Sequence, residues 1–255
     1  MLIGYRTPGL RGLSFEQKLQ LAKDLELQAI EVALREFRCD DDARRLRALA
    51  ADAGIAVSCI AADSNMCDPS LRAEVRQNTS CGVRLCRLLG IDVLFSRTLW
   101  PPEAVPQKET WAACTEATRE AVQLCADGGV RFALEADPPC FVQNLERVER
   151  LLDAVSRPNM YINFDPTNYY IAGSDPLVVI ERLGHLMVNG HIKDGVYRQE
   201  ERGERPIGEG EVDYAGIFRS MGEHSIDIAM NIEHCNTAEQ VTSAARHIDS
   251  VLASM

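Results

Sequence analysis

Short apolar segments alternate with amphipathic helical segments along the chain, and this alternation constrains the fold more than any other feature. We count eight strand–helix units, and dividing 255 residues by eight gives about 32 residues per unit. Strands joined by crossover helices form a parallel sheet whose outer face the helices cover. We see no linker or change of composition. We therefore predict an α/β fold, a single (β/α)8 TIM barrel, with one domain over residues 1–255.

Local signals mark several helix boundaries. Ser14 and Gln17 stand at capping-box spacing, in which the serine accepts from the third helical N–H and the glutamine reaches back. The pair Asp68–Pro69 predicts a helix start, because proline loses no hydrogen bond at the first helical position. Gly54 and Gly90 predict helix ends, since glycine adopts the left-handed conformation that often closes a helix.

One long polar stretch interrupts the pattern. Residues Gly195–Asp213 are too charged to be buried and are rich in glycine, so we expect a mobile loop over the strand ends. Asp194, just before it, is expected to brace this loop. The segment Gly208–Gly210 lacks the third glycine and the strand–helix context of a dinucleotide fingerprint, so we interpret it as a turn.

Charge and hydropathy exclude several classes of partner. The chain carries 27 Lys plus Arg against 38 Asp plus Glu, and its net charge of −11 opposes a nucleic-acid partner, which requires clustered cations. No segment approaches the ~18 consecutive apolar residues of a membrane span, and the N-terminus lacks the pattern of a signal peptide. Nine cysteines without a CxxC pair favour reduced thiols. We therefore expect a cytoplasmic protein; the sequence leaves open a homo-oligomer.

Polar residues at four strand ends form the main functional signal. The segments RFALE, YINFD and IDIAMNIE end in Glu135, Asp165 and Glu233, and MVNGHIK delivers His191. Alternate strand residues share a face, so the apolar neighbours place these four side chains inward. A single acid there often caps the next helix, but four such residues on consecutive strands favour a site at the barrel's C-terminal end. They predict a site for one divalent metal ion, for which Mn²⁺ is the first choice and Mg²⁺, Co²⁺ or Zn²⁺ are alternatives.

Three further inward or strand-end residues are predicted to contact a substrate. Lys193 shares the face of His191, while Glu31 and Arg97 end the second and fourth strand segments. A structural alternative stays open for each. Lys193 could form a salt bridge to Glu135 or another acid of the site, and Glu31 and Arg97 could form core ion pairs.

The runs LEADPP, NFDPTN, GSDPLVV, NGHIKDG, PIGEGEVDY and NIEH resemble those of the sugar phosphate isomerase/epimerase family. These xylose isomerase-like TIM barrels include ketose 3-epimerases, hydroxypyruvate isomerases and inosose dehydratases, and the resemblance covers most of the chain. It implies an enzyme whose acid–acid–histidine–acid set binds one metal, with the first and last glutamates, here Glu135 and Glu233, as an acid/base pair. The family often has a substrate-contacting histidine three residues after the strand-six aspartate. Asn168 stands there in this chain, and by this resemblance it is predicted to contact the substrate.

The expected function is proton-transfer isomerisation or epimerisation of a small ketose-like sugar through an enediolate. A divalent ion would polarise the substrate carbonyl and acidify the neighbouring C–H. Two alternatives remain open. One is a dehydratase of a keto-cyclitol or dehydro-sugar, because the same enediolate can expel a β-hydroxyl. The other is a metal-bearing binding subunit without turnover.

Overall fold

A closed barrel of parallel strands forms the centre of the computed structural model, which describes residues 1–101, 106–198 and 201–255. The strands of the described residues are β1 (Leu2–Arg6), β2 (Ala29–Ala33), β3 (Ala56–Ala61), β4 (Val93–Arg97), β5 (Arg131–Glu135), β6 (Met160–Phe164), β7 (Met187–Ile192), β8 (Asp194–Tyr197), β9 (Arg202–Arg205) and β10 (Ala229–Ile232). Around the barrel, β1 to β7 follow chain order, and β10 closes the ring between β7 and β1. The predicted fold class is confirmed.

Helices surround this barrel. They are α1 (Phe15–Asp24), α2 (Asp40–Ala53), α3 (Arg72–Leu89), α4 (Gln107–Asp127), α5 (Leu145–Val155), α6 (Pro166–Ile171), α7 (Pro176–Leu183), α8 (Tyr214–Glu223) and α9 (Ala238–Ala253). Ser14 and Gln17 make both capping-box bonds at the start of α1, and Gly54 and Gly90 adopt left-handed conformations after α2 and α3, as predicted. Within the described ranges, no helix is long and apolar enough to cross a bilayer.

Local structure differs from the prediction in three places. The stretch Gly195–Asp213, predicted as a loop, contributes to an antiparallel hairpin in which β8 pairs with β9. The expected helix start at Asp68–Pro69 is a 3-10 turn over Pro69–Leu71, and α3 follows it from Arg72. The short helix α6 was not predicted; Asp165 caps its first turn by accepting from the Asn168 N–H.

Part of the barrel interior is polar. Asn163, Asn189 and Asn231 come from β6, β7 and β10 and are fully buried. Asn189 Nδ2 donates to Asn163 Oδ1 at 2.6 Å, and Asn231 Nδ2 donates to Asn189 Oδ1 at 3.1 Å. This chain of amides satisfies polar groups that would otherwise be costly to bury. It explains why the strand MVNGHIK carries polar side chains on one face.

Candidate metal centre

Four neighbouring strands bring the predicted metal ligands together. One candidate ligand atom from each of Glu135, Asp165, His191 and Glu233 lies within 4.8 Å of the others, and all four residues are buried. Glu135 ends β5, Asp165 follows β6, His191 lies in β7 and Glu233 follows β10, and these strands are consecutive around the barrel. We call this set the acid–histidine cluster. The predicted residues therefore meet at one point, at the C-terminal ends of the strands.

The imidazole of His191 lies between the three carboxylates of the acid–histidine cluster and a fourth carboxylate outside it. Its Nδ1 is 3.1 Å from Glu233 Oε2 and 3.3 Å from Glu135 Oε1, and it faces Asp165 Oδ2 at 3.9 Å. Its Nε2 lies 2.8 Å from Glu31 Oε2. One ring nitrogen thus faces the acid–histidine cluster, while the other faces a carboxylate outside it.

Two oxygens of the acid–histidine cluster test whether a cation fits. Asp165 Oδ2 and Glu233 Oε2 are buried and have no hydrogen-bond partner among the described residues. The Lys193 ammonium lies 3.1 Å from Asp165 Oδ2, and His191 Nδ1 lies 3.1 Å from Glu233 Oε2; both are close enough for an ion pair although outside hydrogen-bond geometry. A buried carboxylate oxygen without a donor is costly. A divalent cation would satisfy both oxygens, and three carboxylates with one imidazole are donors that such ions accept.

Charge is distributed unevenly over the acids. Burial raises the pKa of Glu135 and of Asp165 above the ordinary range of carboxyl groups. Burial acts in the same direction on Glu233, but the cationic Arg6 and His191 outweigh it and hold the pKa of Glu233 well below its ordinary value. Neighbouring acids of one cluster therefore differ in how firmly they hold a proton.

Burial alone would lower the pKa of both basic groups at the cluster. For His191, the carboxylates of Glu31 and Glu233 outweigh this effect and hold the pKa well above its ordinary value. For Lys193, Asp165 does the same. Because a metal binds the neutral imidazole, a divalent cation entering the acid–histidine cluster must displace a proton from His191.

Asn168 and Lys193, both predicted to contact the substrate, lie against the acid–histidine cluster and contact each other. Asn168 Nδ2 donates to Glu135 Oε1 at 3.0 Å, and Lys193 Nζ donates to Asn168 Oδ1 at 2.8 Å. Both residues are buried. Lys193 also pairs with Asp165, so the structural alternative of a salt bridge to a site acid is present. Contact with a substrate stays a prediction for both residues.

Arg97 forms the ion pairs that were its structural alternative. It binds Asp63 through two nitrogens, at 3.2 Å from Nε to Oδ1 and 2.6 Å from Nη2 to Oδ2, and Asp137 Oδ2 lies 2.8 Å from Nη1. The other predicted substrate contact, Glu31, was expected to end the second strand, but it is the middle residue of β2. It is 0% exposed and faces His191. Contact with a substrate stays a prediction for both Arg97 and Glu31.

Sequence reasoning missed two groups at this end of the barrel. Arg6 pairs with both Glu31 and Glu233. It ends β1, so the rule that found the other strand-end residues would also have found it. Glu204, on β9, binds Lys193 Nζ at 3.0 Å and His234 Nδ1 at 2.5 Å. No sequence signal identified Glu204, because its position depends on the unpredicted hairpin.

Comparison with known proteins agrees with the barrel fold. The family model described as "Xylose isomerase-like TIM barrel" matches residues 19–251. The chain belongs to this family. Its curated relatives include an inosose dehydratase of Clostridium botulinum (strain Alaska E43 / Type E3), 23% identical over 157 residues, which are 56% of this chain and 51% of the relative. This xylose isomerase-like chain therefore spans about half the length of the curated relatives it matches.

Solved structures share the whole fold. The 3-keto-D-glucoside 4-epimerase of E. coli superposes with a TM-score of 0.84 at 14% identity, covering 99% of each chain. The IOLI protein, solved with a bound zinc atom, gives a TM-score of 0.81 at 18% identity and covers 100% of this chain and 99% of its own. At these identities the likeness shows the fold alone.

Proposed function

We propose that this chain is a divalent-metal-dependent sugar isomerase or epimerase. In this proposal a single domain, residues 1–255, binds one divalent ion, for which Mn²⁺ is the first choice. Its ligands are Glu135, Asp165, His191 and Glu233. The substrate is a small ketose-like sugar. The observation that carries the proposal is the buried acid–histidine cluster, in which two carboxylate oxygens have no hydrogen-bond donor among the described residues.

The two glutamates suit a proton transfer beside a carbonyl. A bound divalent cation would supply polarisation of the substrate carbonyl, which acidifies the neighbouring C–H. Glu135 ends β5 and Glu233 follows β10, with β6 and β7 between these two strands. In this proposal their carboxylates therefore approach a substrate from different sides. One takes the proton and the other returns it, which inverts the carbon when the two act on opposite faces. Asn168 and Lys193 lie beside Glu135 and Asp165, where they would bind substrate oxygens.

A dehydratase is the second candidate, and the sequence relatives favour it. The matched part of the chain is similar to proteins named inosose dehydratase. The chemistry begins in the same way, with removal of a proton beside a carbonyl. It differs in the next step, where a hydroxyl on the adjacent carbon leaves as water.

The test is a panel of ketoses, keto-inositols and hydroxypyruvate incubated in D₂O with the Mn²⁺-loaded protein, followed by NMR of the products. An isomerase or epimerase gives a rearranged or inverted sugar with deuterium on the carbon beside the carbonyl. A dehydratase gives a dehydrated product. A binding subunit gives neither product nor exchange, and this result across the panel would contradict the proposed activity.

Variants of the glutamates test the acid/base assignment. Glu233→Gln keeps an oxygen for the metal but cannot exchange a proton. We expect turnover to fall by roughly 10²- to 10⁴-fold, as for other positioned acid/base groups. Glu146→Gln, which changes an exposed glutamate in the first turn of α5, is the matched control and should keep wild-type turnover. Full activity in Glu233→Gln would show that this carboxylate moves no proton.

A further inference from the structure

A buried carboxylate lies on the opposite side of His191 from the acid–histidine cluster. Glu31 is 0% exposed, and its Oε2 is 2.8 Å from His191 Nε2, whereas His191 Nδ1 faces Glu233 and Glu135. We propose that Glu31 is a positioning residue for the metal centre: it holds the proton of the neutral imidazole on Nε2 and so leaves Nδ1 free for a divalent cation. The inference rests on the metal site of the proposed function.

Glu31 is fixed by donors from three other strands. Arg6, on β1, donates from Nε to Oε1. Asn189, on β7, donates to Oε2 at 3.2 Å, and Cys59 Sγ, on β3, lies 3.3 Å from the same oxygen. Both carboxylate oxygens are therefore engaged before any ion enters. A carboxylate held in this way has one orientation, so it can impose one orientation on the imidazole.

Apart from the carboxylates of the proposed metal ligands, which face Nδ1, no other contact of the ring among the described residues distinguishes its two nitrogens. Asn163 Nδ2 lies 3.3 Å from His191 Nδ1 and 3.4 Å from Nε2, so it is aligned with neither lone pair. Phe95 meets the ring edge-on, with centroids 5.2 Å apart and an interplanar angle of 75°, which fixes the plane of the imidazole but not the position of its proton. Among the described residues around the ring, Glu31 is the acceptor aimed at Nε2.

Arg6 extends the effect of Glu31 to a second predicted ligand. The same guanidinium donates to Glu31 from Nε and to Glu233 from Nη1. A substitution that turns Glu31 away from Arg6 therefore also disturbs the orientation of Glu233. We expect Glu31 to influence two of the four proposed ligands, one directly and one through Arg6.

Glu31→Gln separates positioning from mere space filling, because glutamine has the same size. If its oxygen faces His191 Nε2, its amide hydrogens point at Arg6, which also donates. If its amide faces His191 instead, the proton of the neutral imidazole must sit on Nδ1, where it blocks the metal. Either orientation disturbs the centre. We expect the variant to bind Mn²⁺ and Zn²⁺ about 10- to 100-fold more weakly, the usual range for loss of such a partner.

The experiment combines titration calorimetry with NMR. Calorimetry of the metal-free proteins with Mn²⁺ and with Zn²⁺ compares the wild type, Glu31→Gln and the control Asp63→Asn. Asp63 is likewise a carboxylate bound by an arginine at the C-terminal end of the barrel, but its partner is Arg97, so the control removes one charge without touching His191. We expect Asp63→Asn to keep the wild-type affinity within about threefold. Long-range ¹H–¹⁵N spectra of the Zn²⁺-loaded wild type should show a proton on Nε2 of His191 and none on Nδ1.

The outcomes separate this inference from the proposed function. Metal binding by the wild type with equal affinity in Glu31→Gln would overturn the role of Glu31 and leave the metal site standing. Equal losses in Glu31→Gln and Asp63→Asn would likewise overturn it, since charge alone would then explain the effect. A wild type that binds no divalent ion would overturn both. If Glu31→Gln does not fold, the wild-type spectrum decides, because a proton on Nδ1 in the Zn²⁺-loaded protein would contradict the inference.

Discussion

Asp194 connects the hairpin to the turn that follows it, as the sequence led us to expect. Its Oδ1 accepts from the backbone N–H groups of Gly195 at 2.8 Å and Val212 at 3.3 Å. Its Oδ2 accepts from those of Gly208 and Gly210, each at 3.0 Å. One carboxylate thus fixes four backbone donors. We predict that Asp194→Ala destabilises the protein and loosens this region.

The magnitude follows from the four bonds. A hydrogen bond to a charged group contributes about 1.5–3 kcal/mol, so simple addition gives about 6–12 kcal/mol. Bonds to one carboxylate are not additive, and the donors at Gly208, Gly210 and Val212 are only partly buried, so water can replace Asp194 there. We therefore expect a loss of about 3 kcal/mol in the free energy of unfolding. For a chain of this size that lowers the melting temperature by about 6–12 °C.

Glycine substitutions test the same contact from the other side. A Cβ at Gly210 would lie 2.0 Å from Asp194 Oδ1 and 2.5 Å from the backbone nitrogen of Gly195, so Gly210→Ala must displace both and should destabilise the protein at least to a similar degree. Gly222→Ala is the matched control. Gly222 lies in α8 with no heavy atom within 4 Å of an added Cβ, and alanine there should be neutral or stabilise by up to about 1 kcal/mol.

Thermal unfolding followed by circular dichroism measures these differences, and hydrogen exchange locates them. The amides of Gly208 and Gly210 should exchange faster in Asp194→Ala, while amides of the barrel strands should change little. If Asp194→Ala melts within about 1 °C of the wild type and these two amides keep their protection, the reasoning about the carboxylate is wrong.

Two further predictions concern the metal centre and the hairpin. Removing divalent ions with a chelator should lower the melting temperature, since an ion at 100 times its Kd stabilises the folded state by about 2.7 kcal/mol. In His191→Ala, the melting temperatures measured with Mn²⁺ and with chelator should be equal. A difference that persists in this variant would show that the ion binds elsewhere. Burial acts to raise the pKa of Glu204, but His234 and Lys193 lower it to about 2. The carboxylate therefore stabilises the folded state above its unfolded pKa of about 4.3, and this contribution is lost as the pH falls towards 2. The melting-temperature gap between wild type and Glu204→Gln should be wider at pH 6 than at pH 3, and a constant gap would contradict the assigned ion pairs.

Much of the barrel could be predicted because its signals are local. The capping box at Ser14 and the glycines at Gly54 and Gly90 each act within one helical turn. The hairpin could not be predicted in the same way. The strand Arg202–Arg205 has no apolar alternation. Its pairing depends on the turn that follows it, whose backbone N–H groups donate to Asp194.

The acid–histidine cluster could be predicted because one rule, an inward polar residue at a strand's C-terminal end, applies to each member separately. The helix α6 was missed because Asp165 has two local roles, and only its role as a predicted ligand was considered; it also caps α6. The contacts of Glu31 were beyond reach for another reason. Glu31 contacts Asn189 and His191, which lie 158 and 160 positions after it in the sequence, and only the closed barrel brings them together.

The pairing of the first strand with the last has a consequence for how the chain assembles. Leu2 lies opposite Ala229 and Tyr5 opposite Ile232, and Arg6 meets Glu233 across 227 positions of sequence. During synthesis, β10, the second neighbour of β1, is made only after the other strands of the barrel. Strand pairings this distant in sequence form slowly. Under the proposed ligand set, Glu233 is also the last ligand to be made. An ion already bound by the other three ligands would, on capturing Glu233, hold β10 beside β7, and β10 would then present the edge on which β1 closes the barrel. Such an ion would assist folding as well as the proposed reaction.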